Sequence, residues 1–152
     1  MPNTPAAIGQ GVTVCCSNAA ASDNQRELCR SLLAATGEAL VVDDEGLIDA
    51  VTAVSGGGPA YVFLLIECLE AAGVAAGLPK ELSAKLALIT VAGSGQLALT
   101  SEESPSVLRE NVTSPGGTTL EALKILMADD GLAQLMTRAI AAATKRSREL
   151  AG

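Results

Sequence analysis

The sequence has 152 residues, which is enough for one ordinary domain with its own core. It is 49% hydrophobic but only 1% aromatic, so alanine, leucine, valine and glycine must build most of any interior. It contains no histidine, which excludes histidine metal ligands, histidine general bases and Ser/His or Cys/His nucleophile pairs. The net charge of −7 argues against a nucleic-acid partner, because surfaces that bind phosphate backbones are usually basic. Any catalysis must therefore use hydroxyls, carboxylates, backbone amides or a cofactor.

The four cysteines, Cys15, Cys16, Cys29 and Cys68, have no CxxC spacing. With no histidine to complete a ligand set, the sequence predicts no metal site. Cysteines in such a pattern are typical of small apolar residues in a reducing compartment. The first residues also lack the charged start and the apolar core of a signal peptide. We therefore expect a cytoplasmic protein.

Residues 1–42 predict a strand-helix-strand unit. A β-branched run over residues 11–16 is typical of a strand, Ser22 is placed to cap a helix that Gly37 stops, and residues 39–42 form a second strand. Two strands alone are marginal in water, and a parallel pair normally lies inside a larger covered sheet. This segment is therefore expected to be the end of a larger α/β unit.

The rest of the sequence predicts helices only, so the fold class is mainly α. Glycine, serine and proline separate six predicted helices, which span about 45–54, 59–76, 80–99, 104–109, 118–128 and 130–150. Pro59 suits a first helical position and Gly77 suits the end of the same helix.

The predicted helices 59–76 and 80–99 are apolar on all sides. Such a helix belongs to a large core, a membrane or a subunit interface. Charged or polar residues interrupt or flank both segments, which disfavours a membrane hairpin: these are Glu67, Glu70, Lys85 and Gln96. Small residues along both helices would serve close packing within one chain or between two chains. We expect an obligate homodimer formed through residues 59–99.

Two glycine-rich turns, residues 55–59 and 113–119, each lead into a predicted helix. Neither contains GxGxxG or a phosphate loop ending in Gly-Lys-Ser/Thr. The second turn places backbone N–H groups at a helix N-terminus beside the hydroxyls of Ser114, Thr118 and Thr119, where a carboxylate could bind. Spacing alone favours a capped turn between two helices over a ligand site.

The stretches IDAVTAVSGGGPAYVF, AAGLPKELSAKLA and LRENVTSPGGTTLEAL, with MPNTPA near the start and RSREL near the end, carry a family resemblance. Together they resemble the carboxyl-terminal part of pyrroline-5-carboxylate reductase, in collinear order over essentially the whole chain. The resemblance implies that residues 1–42 end a Rossmann-like nucleotide-binding domain. Residues 43–152 would be the all-helical dimerisation and substrate-binding domain. Because the GxGxxG part of the family is missing here, we expect this chain alone to be inactive or nearly so.

The resemblance also implies a reaction. Family members transfer a hydride from NADPH or NADH to 1-pyrroline-5-carboxylate, giving L-proline in the last step of proline biosynthesis. They assemble as homodimers or higher oligomers, and their cofactor is bound mainly by the part that is missing here. Two other functions stay open: a non-catalytic helical homodimerisation module, and another imine reductase or hydroxyacid dehydrogenase of similar architecture.

Residue by residue, the resemblance makes Thr119 the catalytic residue. Its hydroxyl would hydrogen-bond the imine nitrogen and is a candidate proton donor. The substrate carboxylate would be held by the turn around it, which consists of Ser114, Gly116, Gly117 and Thr118. Asn111 matches a position that contacts the nicotinamide cofactor. Glu45 falls where the family has a glutamate that contacts substrate, although Gly46 departs from the acidic residue often found next to it.

Overall fold

The computed structural model describes Met1–Gly152. Its contacts divide the chain into two compact units, the first formed by Met1–Tyr61 with Thr137–Gly152 and the second by Val62–Met136. The domain boundary between residues 42 and 43 stays a prediction. Contacts within one chain show which segments lie close together, and they do not show to which family domain a segment belongs.

The secondary structure is mainly helical, which confirms the predicted fold class. The strands are β1 (Gly11–Cys16) and β2 (Gly37–Val42). The α-helices are α1 (Asp23–Leu33), α2 (Ile48–Val51), α3 (Gly58–Ala75), α4 (Lys80–Thr100), α5 (Pro105–Asn111), α6 (Thr118–Leu126) and α7 (Leu132–Ala151). Three short 3₁₀ turns cover Thr4–Ile8, Ala34–Thr36 and Glu45–Leu47, and a π-helical turn covers Thr52–Gly56.

The two strands form a parallel pair in which Gly11 faces Gly37 and Cys16 faces Val42. Strand β2 begins two residues before the predicted start because Gly37 already pairs with Gly11. Its φ of 137° suits glycine, and a Cβ at Gly37 would overlap the backbone of Gly11. On the other edge of β1, the N–H of Val14 donates to the carbonyl of Met1 at 3.0 Å. The predicted strand-helix-strand unit is confirmed.

Helix α1 begins with the predicted Ser22 cap. The Ser22 Oγ accepts from the N–H of Gln25 at 3.4 Å, and the N–H of Ser22 donates to Gln25 Oε1 at 2.9 Å, which completes a capping box. On the surface of the helix, the hydrogen bond from Arg30 to Glu27 and their charge attraction lower the pKa of the Glu27 carboxyl and raise that of Arg30. The helix ends at Leu33, and a 3₁₀ turn carries the chain to Gly37.

Residues 45–54 are helical as predicted, but they do not form one regular α-helix. The structure has a 3₁₀ turn, the four residues of α2, and then the π turn, in which the N–H of Gly57 donates to Thr52 O at 2.9 Å. The wider turn leaves the carbonyl of the buried Ala53 available, and the Tyr61 hydroxyl donates to it at 3.1 Å. A Cβ at Gly57 would lie 2.6 Å from that hydroxyl, so this contact requires glycine.

In each unit, one side-chain hydrogen bond joins two helices. In the first unit, Ser147 Oγ on α7 donates to Asp49 Oδ1 on α2 at 2.6 Å across 98 positions of sequence. In the second unit, the buried Ser83 Oγ on α4 donates to Glu70 O on α3 at 2.7 Å. A Cβ at Gly73 would overlap Ser83 Oγ, so the two helices cross too closely there for any other residue.

Much of the apolar surface is uncovered in the single chain. Its accessible area is 10760 Å², whereas a compact monomer of this mass exposes about 7,100 Å². Leu64, Leu88 and Ile89 on α3 and α4 are each more than half exposed.

By length and composition alone, two helical stretches could cross a membrane. They are Glu45–Ala75, with a mean hydropathy of 1.5, and Lys80–Thr100, with a mean hydropathy of 1.4. Helices that are buried in the interface of a protein outside membranes have the same length and composition. The expected lack of a membrane partner therefore stays a prediction.

Candidate functional site

The glycine-rich turn between α5 and α6 is a type II β-turn. The N–H of Gly117 donates to Ser114 O at 3.0 Å and closes the turn. Pro115 stands at its second position, where a fixed φ is favourable, and Gly116 at its third position has a φ of 72°. Because a type II turn requires a positive φ at that third position, the Ser-Pro-Gly-Gly order specifies this geometry.

The turn delivers an open helix N-terminus. Gly117 is the N-cap of α6, and no side chain caps the first-turn N–H groups. A Cβ at Gly117 would lie 2.5 Å from Ser114 Oγ, so a larger residue cannot stand there without displacing Ser114. The first N–H groups of a helix have no partner within the helix and carry its positive partial charge. This end of α6 can therefore bind a small anion.

The hydroxyls of Thr118 and Thr119 stand on the first two residues of α6. Both residues are exposed, and neither hydroxyl has a hydrogen-bond partner within the chain. The structure thus brings Thr118 and Thr119 to one helix end together with Ser114, Gly116 and Gly117. Their binding and catalytic roles remain predictions. Chemically, the arrangement can hold a carboxylate on N–H groups while a hydroxyl donates to a neighbouring atom of the same ligand.

Asn111 is the last residue of α5, and its side chain is held by a residue that the sequence did not single out. Its Nδ2 donates to Glu103 Oε2 at 2.9 Å. Glu103 lies in the loop before α5, eight positions earlier, so no single predicted element contains both residues. No sequence signal therefore pointed to Glu103.

Glu45 lies in the first compact unit, whereas the α5–α6 turn lies in the second. It is exposed and begins a 3₁₀ turn in which the N–H of Gly46 donates to Asp44 Oδ1 at 2.8 Å. A Cβ at Gly46 would lie 3.0 Å from that oxygen, which fits the presence of glycine there. Contact between Glu45 and a substrate stays a prediction.

A groove between α5 and α6 follows the turn and was also not predicted. It has a volume of about 350 Å³ and is lined mainly by apolar side chains and two cations. The cations are Arg109, which lies 3.6 Å from Glu110, and Lys124, which pairs with Glu121 at 2.6 Å. No group of three or more cysteine, aspartate or glutamate side chains lies together in a way that could hold a metal ion.

Long, largely uncovered apolar helices after a parallel strand pair define a helical association domain, and the uncapped N-terminus of α6 gives it a candidate site for a small anion. Similarity to known proteins shows the family to which this domain belongs. Residues 45–150 match the family model described as pyrroline-5-carboxylate reductase dimerisation. A pyrroline-5-carboxylate reductase of Pseudomonas aeruginosa is 50% identical over 151 residues, and one of Arabidopsis thaliana is 45% identical over 150 residues. The chain belongs to the pyrroline-5-carboxylate reductase family.

Solved structures agree with this assignment. The pyrroline-5-carboxylate reductase of Coxiella burnetii matches 99% of this chain with a TM-score of 0.93 and 41% identity, and 55% of that chain is covered. A Plasmodium falciparum pyrroline carboxylate reductase with NADP bound matches the whole chain with a TM-score of 0.87 and 35% identity, and 62% of it is covered. The Pseudomonas and Arabidopsis relatives match 99% of this chain but are themselves covered to 55% and 54%. The chain therefore spans about half the length of these relatives.

Proposed function

We propose that this chain is the substrate-binding and dimerisation portion of a reductase that converts 1-pyrroline-5-carboxylate to L-proline. The observation that carries the proposal is the uncapped N-terminus of α6, with two free threonine hydroxyls on its first turn. The substrate is a small ring with one carboxylate and one imine nitrogen. It needs an anion site and a hydrogen-bond donor close together, and the first turn of α6 offers both.

The carboxylate of the substrate would bind the first-turn N–H groups of α6, with Ser114 and Thr118 offering hydroxyls beside them. Gly116 and Gly117 allow the backbone to approach the ligand because neither carries a side chain. A helix N-terminus favours a negative group by about 0.3–1 kcal/mol at an exposed site and by more in a site closed to water. This contact would fix the ring relative to Thr119.

The Thr119 hydroxyl would donate to the imine nitrogen. The bound nicotinamide cofactor, NADPH or NADH, supplies the hydride that reduces the C=N carbon. The nitrogen must gain a proton as the C=N double bond becomes a single bond, and the Thr119 hydroxyl would deliver it and regain a proton from water. This reaction needs no nucleophile and no imidazole, in agreement with the lack of histidine.

For the cofactor, this chain offers Asn111 at the end of α5. Its Nδ2 is held by Glu103, so its Oδ1 is left to accept a hydrogen bond from the nicotinamide end. The remaining contacts would come from a nucleotide-binding portion that precedes this sequence. On this proposal the 152-residue chain alone is inactive or nearly so. The NADP bound in the Plasmodium relative supports the cofactor class.

We further propose that the protein works as a homodimer, or as a larger oligomer built from dimers, in the cytoplasm. The match to the dimerisation model and the exposed apolar side chains of α3 and α4 support the dimer. Four free cysteines, two of them exposed, support a reducing compartment. We propose no membrane or nucleic-acid partner.

The test is Thr119→Ala, assayed by NADPH oxidation with pyrroline-5-carboxylate in the 152-residue chain and in the longest protein that contains it. In the form that is active, we expect kcat to fall roughly tenfold or more, the usual scale for loss of a general acid. The KM for pyrroline-5-carboxylate should change less, because the proton is needed mainly in the transition state.

Thr119→Ser is the matched control, since it keeps the hydroxyl and should retain most of the kcat. An unchanged kcat in Thr119→Ala would exclude the proton-donor role. Failure of the longest form to oxidise NADPH with this substrate would favour the non-catalytic dimerisation module. Reduction of other cyclic imines in preference to pyrroline-5-carboxylate would favour a related imine reductase.

A further inference from the structure

Asn111 and Glu103 form the contact near the candidate site that the proposed function leaves unused. The Nδ2 of Asn111 donates to Glu103 Oε2 at 2.9 Å. An ionised carboxylate can only accept hydrogen bonds, so it must face the NH₂ end of the amide and never its oxygen. The orientation of the Asn111 side chain is thus fixed by chemistry.

Glu103 is itself held in place. Its backbone N–H donates to Ser101 Oγ at 3.0 Å, in the loop that follows α4. The next residue, Ser104, caps α5 by accepting from the N–H of Val107 at 3.4 Å. At the far end of α5, Thr113 Oγ1 donates to Arg109 O at 2.6 Å. Both ends of the short helix between Glu103 and Asn111 are therefore tied by side chains.

We propose that Glu103 is a positioning residue that holds the Asn111 amide with its Oδ1 presented to the nicotinamide cofactor. The inference rests on the proposed function, in which Asn111 contacts that cofactor. The groups on a nicotinamide nucleoside that suit a carbonyl acceptor are its carboxamide N–H and its ribose hydroxyls. A bond to a charged acceptor also polarises the amide, which makes Oδ1 a stronger acceptor.

Without Glu103 the side-chain amide of Asn111 can flip by about 180°, and its NH₂ would then face the cofactor for part of the time. Because this contact is the same before and during hydride transfer, its loss should weaken binding and leave the chemical step nearly unchanged. We therefore expect Glu103→Ala to raise the KM for NADPH by about 3- to 10-fold, the scale of one hydrogen bond, with less change in kcat. Glu103→Gln keeps a neutral acceptor for Nδ2 and should fall between Glu103→Ala and the unsubstituted protein.

The decisive experiment is a double-mutant cycle with Asn111→Ala in the form that reduces pyrroline-5-carboxylate. If Glu103 acts only through Asn111, Glu103→Ala should raise the KM no further once Asn111 is alanine. Glu110→Ala is the matched control, because it removes the same charge next to Asn111 from a carboxylate whose ion-pair partner is Arg109. Equal effects of Glu103→Ala and Glu110→Ala, or additive effects of Glu103→Ala and Asn111→Ala, would overturn the inference.

A second readout needs no activity and uses the 152-residue chain. In a ¹⁵N-labelled sample, the side-chain NH₂ signals of Asn111, identified by their loss in Asn111→Ala, should shift in Glu103→Gln more than any other side-chain amide. They should not shift comparably in Glu110→Gln. No shift would overturn the inference even if the enzyme is active. The expected shift in the 152-residue chain, together with no reductase activity in the longest protein that contains it, would instead show that the proposed function had failed, and the cofactor role of Glu103 with it.

Discussion

Gly117 packs directly against Ser114 at the end of the type II turn. A Cβ at Gly117 would lie 2.5 Å from Ser114 Oγ and 3.1 Å from Ser114 O. We expect Gly117→Ala to cost about 0.5–1.5 kcal/mol of unfolding free energy, the scale of forcing the Ser114 side chain off its rotamer. Chemical denaturation of the unsubstituted and substituted chains measures this.

A second substitution that removes the clashing atom distinguishes this clash from other causes of destabilisation. Ser114→Ala removes the Oγ, so Ser114→Ala with Gly117→Ala should recover part of the loss. Gly116→Ala should also destabilise the turn, by about 1–2 kcal/mol, but through its φ of 72° and not through a clash. Ser114→Ala should therefore not rescue Gly116→Ala. Rescue of both, or of neither, would contradict the assignment of these two glycines.

At the scale of elements, two polar contacts from α7 converge on Asp49 of α2. Asp49 accepts from Ser147 at 2.6 Å, and Arg148 Nε lies 3.8 Å from its other oxygen. The side chain of Asp49 is only 24% exposed, so water screens this contact less than a surface pair. We expect Asp49→Ala to lower the unfolding free energy by about 1.5–3 kcal/mol, the range for hydrogen bonds to charged groups. Asp49→Asn keeps an acceptor and should cost less.

Glu149→Ala is the control on the same helix. Glu149 pairs with Arg146 at 3.0 Å, but both side chains are well exposed. Exposed pairs contribute about 0–1 kcal/mol, so this substitution should change the denaturation midpoint little. If Glu149→Ala destabilised the chain as much as Asp49→Ala, the contact between α7 and α2 would contribute no more to the unfolding free energy than an exposed ion pair.

The elements also show what the sequence could predict. Local signals predicted Ser22 as the cap of α1, because a cap depends on residues a few positions away. The π turn over Thr52–Gly56 was missed, since it differs from an α-helix by one residue in the spacing of its backbone hydrogen bonds, which side-chain periodicity does not show. The bond between Asp49 and Ser147 was missed for a related reason. It joins residues 98 positions apart, and no periodicity extends over that separation.

The same limit applies to the candidate site. The Ser-Pro-Gly-Gly turn and the helix start at Thr118 follow from local residue preferences, so five of the predicted residues fall together. The contact of Glu103 with Asn111 depends on how the loop before α5 lies along that helix, and the groove depends on how α5 and α6 lie beside each other. Glu45 was assigned by resemblance alone, and its departure at Gly46 has a local cause in the turn formed with Asp44.

At the scale of the whole molecule, the large exposed area indicates that a partner must cover part of the chain. The chain exposes 10760 Å², about half as much again as the roughly 7,100 Å² of a compact monomer of this mass. Many large apolar side chains of α3 and α4 are exposed, and monomeric proteins rarely expose large contiguous apolar patches. A second copy of the chain is the occupant that the dimerisation family supplies.

We therefore expect the chain to sediment as a dimer at low micromolar concentration in the absence of detergent. Ile89→Lys on α4, at a side chain that is 62% exposed in one chain, should weaken the dimer at least tenfold, because it places a charge in an apolar interface. Leu32→Lys on α1 is the control, with 66% exposure and a position outside residues 59–99, and it should leave the dimer unchanged. A monomer at that concentration, or equal effects of the two lysines, would contradict the dimer interface. Recovery of the chain only with membranes would show instead that α3 and α4 are covered by lipid.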